Sequence, residues 1–261
     1  MEQRISYWIC IVFLYWHTML VTTKENNKTP VEAAKENLKQ LCVHHTRMRL
    51  GVAIPCYRLH IEQCKSLLES LEHQTRLPDS VVVSCSSTLE FPTRTYAFPL
   101  RIVTHKERKN AAQNRNIAKS YLDTDIVCFF DADDQMHPQR LEAIEYAVQN
   151  GADIVLHNYY FNEECTEKEF THIDQFHLEQ NTLRQSKSGC IELPKQGRIA
   201  HGHVSVKQHI LRKIWYPEEK TYETREDCVF CYRAFDLPNL QTAYIHDPLS
   251  KYIPSNSAHA H

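Results

Sequence analysis

From residue 50 onward the chain alternates short apolar runs with longer amphipathic segments, and this alternation constrains the fold more than any other feature. Residues 51–54 (Gly-Val-Ala-Ile), 81–83, 100–103, 126–130 and 153–156 are predicted strands, while 61–73, 111–121 and 138–149 carry apolar residues at helical spacing. Strands joined by helices of ten or more residues are normally parallel and cross over right-handedly, which puts ligand sites just beyond the carboxyl ends of the strands. The predicted fold class is therefore α/β, Rossmann-like, with a mostly parallel central sheet flanked by helices. A chain of 261 residues is long enough to bury one large core of this kind.

Charge and composition exclude other classes. Thirty Lys and Arg against 32 Asp and Glu leave a formal charge of −2, so no global basic field attracts nucleic acid. Five Gly and eleven Pro leave little room for low-complexity sequence. Ten Cys are scattered along the chain, and only Cys228-Val-Phe-Cys231 spells a C-x-x-C. With apolar residues between them and no second pair nearby, these two are read as helix-packing positions and not as zinc ligands.

The first 48 residues are set apart. Residues 5–21 carry no formal charge, are rich in Trp and Tyr, and sit at the short end of a membrane span. No small-residue cleavage site follows, so 1–22 is expected to be an uncleaved signal anchor in preference to a removed signal segment. Residues 23–48 form a polar stem, and Asn27-Lys28-Thr29 is a glycosylation sequon. The expected setting is membrane-associated, as a single-pass type II protein of the Golgi or ER, with a cytoplasmic protein as the alternative. Residues 49–253 are read as one folded domain with a first part (49–135) and a second part (136–253), and 254–261 is expected to be a flexible tail.

The chemistry lies at the strand ends. After the fourth run the chain reads Asp131-Ala-Asp133-Asp134. Three carboxylates in four residues repel one another unless a cation neutralises them, and hard oxygen ligands suit Mg²⁺ or Mn²⁺. The competing explanation is a solvated cluster at a helix start.

Several ordered segments resemble the family 2 glycosyltransferases and their GT-A fold over roughly residues 49–253. Val52-Ala-Ile-Pro55-Cys-Tyr57 is similar to the family's opening strand and loop, and 81–88 stands where the family has Asp before Gly-Ser-Thr. Ala111-Ala-Gln-Asn-Arg115-Asn116 resembles the Ala-Arg-Asn segment, with its Arg sixteen residues ahead of Asp131, and Asp131-Ala-Asp133 resembles the D-x-D motif. The resemblance implies a catalytic domain over 49–253 with a nucleotide-binding half (49–135) and an acceptor half (136–253), a nucleotide-sugar donor at Pro55, Tyr57, Arg115, Asn116 and Asp131, and Mn²⁺ or Mg²⁺ on Asp131 and Asp133. Cys85 departs from the pattern, occupying the position of an Asp that contacts base or ribose.

In the acceptor half, the polar stretch 159–189 is expected to form a loop or lid carrying acceptor specificity. Residues 199–206, around Gly202, are predicted to be a strand followed by a helix over 207–213. His201 and His203 could be metal ligands, but on a strand they would share one face, and packed or surface histidines are the commoner outcome there. Glu226 and Asp227 open a helix, where acids are also favoured as caps. The resemblance instead makes Asp227 the general base. Near the carboxyl end the family often has a metal- or phosphate-binding His, and His246 and His259 are both candidates.

These readings imply inverting transfer of a sugar from a nucleotide diphosphate to a hydroxyl on a glycan, protein or lipid. Two alternatives stand beside it. A nucleotidyltransferase would need a Gly-rich phosphate loop near its start, whereas Gly51 is the only glycine before Gly151. A non-catalytic, membrane-tethered carbohydrate-binding or scaffold protein derived from this fold would not need Asp131, Asp133 and Asp227 together.

Overall fold

The computed structural model describes residues 47–187, 189–193 and 197–253, and those from Met48 onward belong to one compact unit. The described chain runs through β1 (Leu50–Tyr57), α1 (Ile61–Glu72), β2 (Ser80–Ser86), β3 (Leu100–His105), α2 (Ala111–Ser120) and β4 (Ile126–Phe129). It continues with β5 (Gln135–Met136), α3 (Arg140–Gln149), β6 (Ile154–Phe161), α4 (Glu164–Glu167), β7 (Leu178–Gln180), β8 (Arg184–Gln185) and β9 (Ile191–Glu192). The last elements are β10 (Ser205–Lys207), α5 (Gln208–Leu211), α6 (Glu226–Phe235) and β11 (Thr242–Tyr252).

The main sheet has the order β3-β2-β1-β4-β10-β6-β11-β5, with β7 also pairing β11, and β8 and β9 form a separate hairpin. The ladders β3-β2, β2-β1, β1-β4 and β6-β11 are parallel, and β10 is inserted antiparallel between β4 and β6. Side-chain alternation splits β1 between two apolar layers. Leu50, Val52 and Ile54 pack with Leu67, Leu68 and Leu71 of α1 and Leu141 and Ile144 of α3. Ala53 faces the other layer, with Phe129, Ala112 and Ala118 of α2, and Phe230 and Ala234 of α6. Helices on both faces bury the sheet, as the continuous apolar runs of a parallel sheet require.

Local chemistry fixes the helix that carries Arg115. The Asn110 side chain accepts from Gln113 N at 2.9 Å and the Gln113 side chain accepts from Asn110 N at 3.1 Å, a reciprocal cap that starts α2 at Ala111. From that start, Asn114 and Arg115 fall on the buried face.

Three expected elements differ. In place of a strand over 199–206, His201–His203 form a 3₁₀ turn closed by His203 N to Ala200 O at 3.1 Å, and only Ser205–Lys207 are extended. The two histidines therefore do not share a strand face. Helix α3 starts at Arg140, because Gln135–Met136 pair with β11 and His137 O accepts from Arg140 N in a turn before it. The helix expected over 207–213 is the single turn Gln208–Leu211.

Among the described residues no helix is long and apolar enough to cross a membrane. The expected anchor (1–22), nearly all of the stem (23–48) and the tail (254–261) lie outside the described residues.

Candidate active site

Two carboxylate groups meet across one cleft of about 190 Å³, lined by Asp131, Asp134, Tyr159, Gly202, His203 and Asp227 among others. The first lies where β4 ends, after Phe130 N donates to Ala53 O at 3.1 Å and the chain turns through residues 131–134. Asp131, Asp134 and His203 each direct a ligand atom into a space where all three atoms lie within 4.8 Å of one another. His203 Nε2 is 2.9 Å from Asp134 Oδ2 and 4.0 Å from Asp131 Oδ2. Its Nδ1 is 2.9 Å from Ser250 Oγ, and its ring stacks on Phe130 with centroids 4.1 Å apart.

The electrostatics of this group suit a cation. Burial pushes the Asp134 carboxyl up to about 7 against the opposing hydrogen bond from Ile253 N, and burial holds the His203 imidazole down at about 3, so it is neutral and able to ligate. Asp131 is also raised by burial, with Arg115 acting in the opposite direction. Asp134 Oδ2 is buried and accepts no hydrogen bond of good geometry, even with His203 Nε2 so close. A buried carboxylate oxygen without a donor is costly, and a cation between these residues would complete its coordination.

Arg115 joins the two acidic groups. It is 3% exposed, and its Nη2 donates to Asp131 Oδ1 at 2.6 Å while Nη1 donates to Glu226 Oε1 at 2.6 Å. Burial opposes its charge, but Asp131, Tyr216 and Glu226 outweigh that and hold its pKa well above the ordinary value. Glu226 turns one carboxylate oxygen to Arg115, and the adjoining Asp227 lines the cleft, with its Oδ1 accepting from Cys228 N at 2.7 Å. One guanidinium thus fixes the β4 end relative to the helix start that presents Asp227.

The other expected residues are spread around this centre. Asp133 lies in the same turn but outside the three-residue group: its Oδ2 is 3.4 Å from His60 Nδ1, and it borders a second cleft against Gln63, Ser66 and Ser70 of α1. Pro55 is buried in β1 opposite Ser84, and Tyr57 ends that strand with the Arg108 guanidinium 5.7 Å over its ring. Asn116 does not line the cleft; its side chain donates to Tyr216 O at 2.9 Å and Glu218 Oε1 at 2.8 Å. Cys85 is fully buried opposite Cys56, within the apolar layer. His246 pairs with Glu179 at 3.3 Å, and His259 lies outside the described residues.

The sequence expectation put the cation on Asp131 and Asp133 and favoured a packed or surface role for His203, whereas the three groups that converge here are Asp131, Asp134 and His203. The run of acids signalled Asp134, but no local pattern ties a 3₁₀ turn at 201–203 to a strand end seventy residues earlier.

Gly202 is needed for the close approach of that turn. A Cβ there would stand 2.7 Å from Asp131 Oδ2 and 3.3 Å from Arg115 Nη2. Gly202→Ala is expected to cost about 1–3 kcal/mol by overpacking and to displace Asp131, read as a lower urea midpoint together with weaker Mn²⁺ binding. An alanine variant matching wild type in both would show that the turn can shift freely.

The family model described as glycosyl transferase family 2 matches residues 52–215. A Haemophilus influenzae protein described as an uncharacterized glycosyltransferase is 26% identical over 128 residues, covering 48% of this chain and 43% of that one. Among solved structures, S. aureus TarS residues 1–349 in complex with UDP-GlcNAc is similar at a TM-score of 0.60 and 17% identity, over 82% of this chain and 62% of that chain. The mannosyltransferase PcManGT from Pyrobaculum calidifontis, in complex with GDP-Man and Mn²⁺, is similar at 0.53 and 20% identity, over 83% and 60%. The chain thus spans between two fifths and two thirds of the length of these relatives, and the structural likeness is one of fold.

Proposed function

The chain belongs to glycosyl transferase family 2, and from that premise we propose that it moves a sugar from a nucleotide diphosphate donor to an acceptor hydroxyl on a glycan, protein or lipid, with inversion at the anomeric carbon. The observation that carries this reading is the single cleft in which Asp227 faces Asp131, Asp134 and His203. A base on one side and a diphosphate-binding group on the other suit direct displacement without a covalent intermediate. A nucleotidyltransferase or a carbohydrate-binding scaffold would have no need of Asp227 on the open side of the cleft.

Asp131, Asp134 and His203 are the donor set the geometry favours for a divalent cation, with Asp133 as a further carboxylate in the same turn. A Mn²⁺ or Mg²⁺ ion bound there would offset the charge developing on the leaving diphosphate. Pro55 and Tyr57, at the carboxyl end of β1, would border the nucleotide. Arg115 acts by orienting Asp131 and the start of α6, since both of its Nη atoms are taken by carboxylates. Asp227 would accept the hydroxyl proton of the acceptor as the new bond forms. Tyr159, which borders the cleft and begins the 159–189 stretch, would face the acceptor. Residues 5–21 would hold this domain at a membrane.

Calorimetric titration of the full chain with UDP-GlcNAc and GDP-Man, with Mn²⁺ and then with EDTA, tests the reading. Binding of one donor that EDTA weakens at least tenfold is expected; donor binding indifferent to the metal would remove the cation from the mechanism. The pH dependence has a definite sign. Asp134 has a folded pKa of about 7 against an ordinary value of 3.8, so without the cation the native state holds its proton where the unfolded chain does not. Stability of the metal-free protein from this group falls as pH rises through that window, and Mn²⁺ affinity rises. At pH 6, Mn²⁺ binding should release a proton, seen as a binding heat that changes between buffers of different ionisation enthalpy. Identical heats in both buffers would count against Asp134 as a ligand.

A further inference from the structure

A buried charge lies against the 201–203 turn and the end of β4. Arg140, the first residue of α3, is 0% exposed and the largest fully buried side chain among the described residues. Its neighbours include no carboxylate that offsets the charge among the described residues, and burial lowers its pKa only to about 10, so it is a cation at neutral pH. Burying a guanidinium without a counter-charge is costly, and Met or Leu would fill the same volume more cheaply. What an apolar residue cannot supply is a rigid planar fork of donors.

That fork joins separate segments. Nη2 donates to His203 O at 2.5 Å and to Phe129 O at 3.2 Å, and Nε donates to His157 Nε2 at 3.1 Å. Phe129 ends the strand that leads into Asp131, and His203 closes the 3₁₀ turn. The Phe130 ring between them in sequence is shared, with the Arg140 guanidinium 5.0 Å from its centroid and the His203 ring stacked at 4.1 Å. The geometry points to Arg140 as a positioning residue that clamps the 201–203 turn onto the end of β4, so that the His203 imidazole faces Asp131 and Asp134. Arg140 itself touches neither donor nor cation, and its role in metal binding rests on the cation site proposed above.

The test uses the full chain as wild type, Arg140→Lys and Arg140→Met, with two readouts. Mn²⁺ affinity is measured by electron paramagnetic resonance, and hydrogen exchange is followed over 199–206 against the internal reference of β1 and β2. Both variants are expected to weaken Mn²⁺ about tenfold or more, the scale on which groups that orient ligands act. Both are also expected to lose protection over 199–206 while β1 and β2 keep theirs. Lysine retains the charge without the fork, so its failure to rescue separates geometry from charge and also stands in if the Met variant does not fold. Wild-type affinity or wild-type protection of 199–206 in the Lys variant would overturn the assignment. If the wild type binds no Mn²⁺, the cation reading fails, and the exchange data alone decide whether Arg140 holds the turn.

Discussion

Replacing Asp227 by Asn is expected to lower kcat by about 10²–10⁴-fold while leaving donor affinity close to wild type. Asp227 lies in the first turn of α6 and faces the cleft, but it is not among the three groups that converge at the end of β4, and Arg115 is bonded to its neighbour Glu226 and not to it. The amide has nearly the volume of the carboxylate and can no longer take a proton. Loss should therefore fall on the chemical step, with the Kd for nucleotide sugar and for Mn²⁺ unmoved in calorimetry. Turnover within tenfold of wild type would take Asp227 out of the base role and shift attention to the other titratable groups that line the cleft, Tyr159, His201 and Tyr252.

The largest stability effect is expected at Arg115. Arg115→Met leaves Asp131 and Glu226 without their shared partner in a largely buried setting, and breaking one side of such an ion pair costs about 3–5 kcal/mol. Glu226 is already raised by burial, with Arg115 as the main opposing influence, so without the guanidinium it rises further. A raised carboxyl destabilises the native state most where it must be ionised, so the urea midpoint of the variant should fall more at pH 8 than at pH 5. The double variant Arg115→Met with Glu226→Gln should recover part of the loss, because it removes one of the stranded charges. A single variant as stable as wild type at both pH values would mean that solvent, and not Arg115, supports these carboxylates.

Much of the architecture was legible in the sequence because a parallel sheet buried on both faces writes itself as short β-rich runs separated by helices of regular period. The four parallel strands of the first half, α1 and α2 fell close to where the pattern placed them. The acidic run 131–134 and the pair Glu226-Asp227 were equally visible as candidates for chemistry. Position 85 shows the limit of such reading. Its departure from the family pattern was plain, but that its thiol packs inside an apolar layer follows only from the register of β1 and β2.

The sequence by itself determined the class of fold and the two acidic segments around which a site can form, since each depends on periodicity or on residues close together in the chain. Tertiary structure decided which members of those segments act together. Asp134 and not Asp133 joins Asp131, because the turn after β4 sends one carboxylate toward the 201–203 turn and the other toward His60. His203 becomes part of that group through a 3₁₀ turn which no hydrophobic period encodes, held by contacts from Arg140, more than sixty residues earlier in the chain. Arg115 bridges Asp131, 16 residues further on, and Glu226, 111 residues further on. Such contacts form only when the sheet and its helices are already packed, and for that reason the cleft could not be assembled from local signals alone.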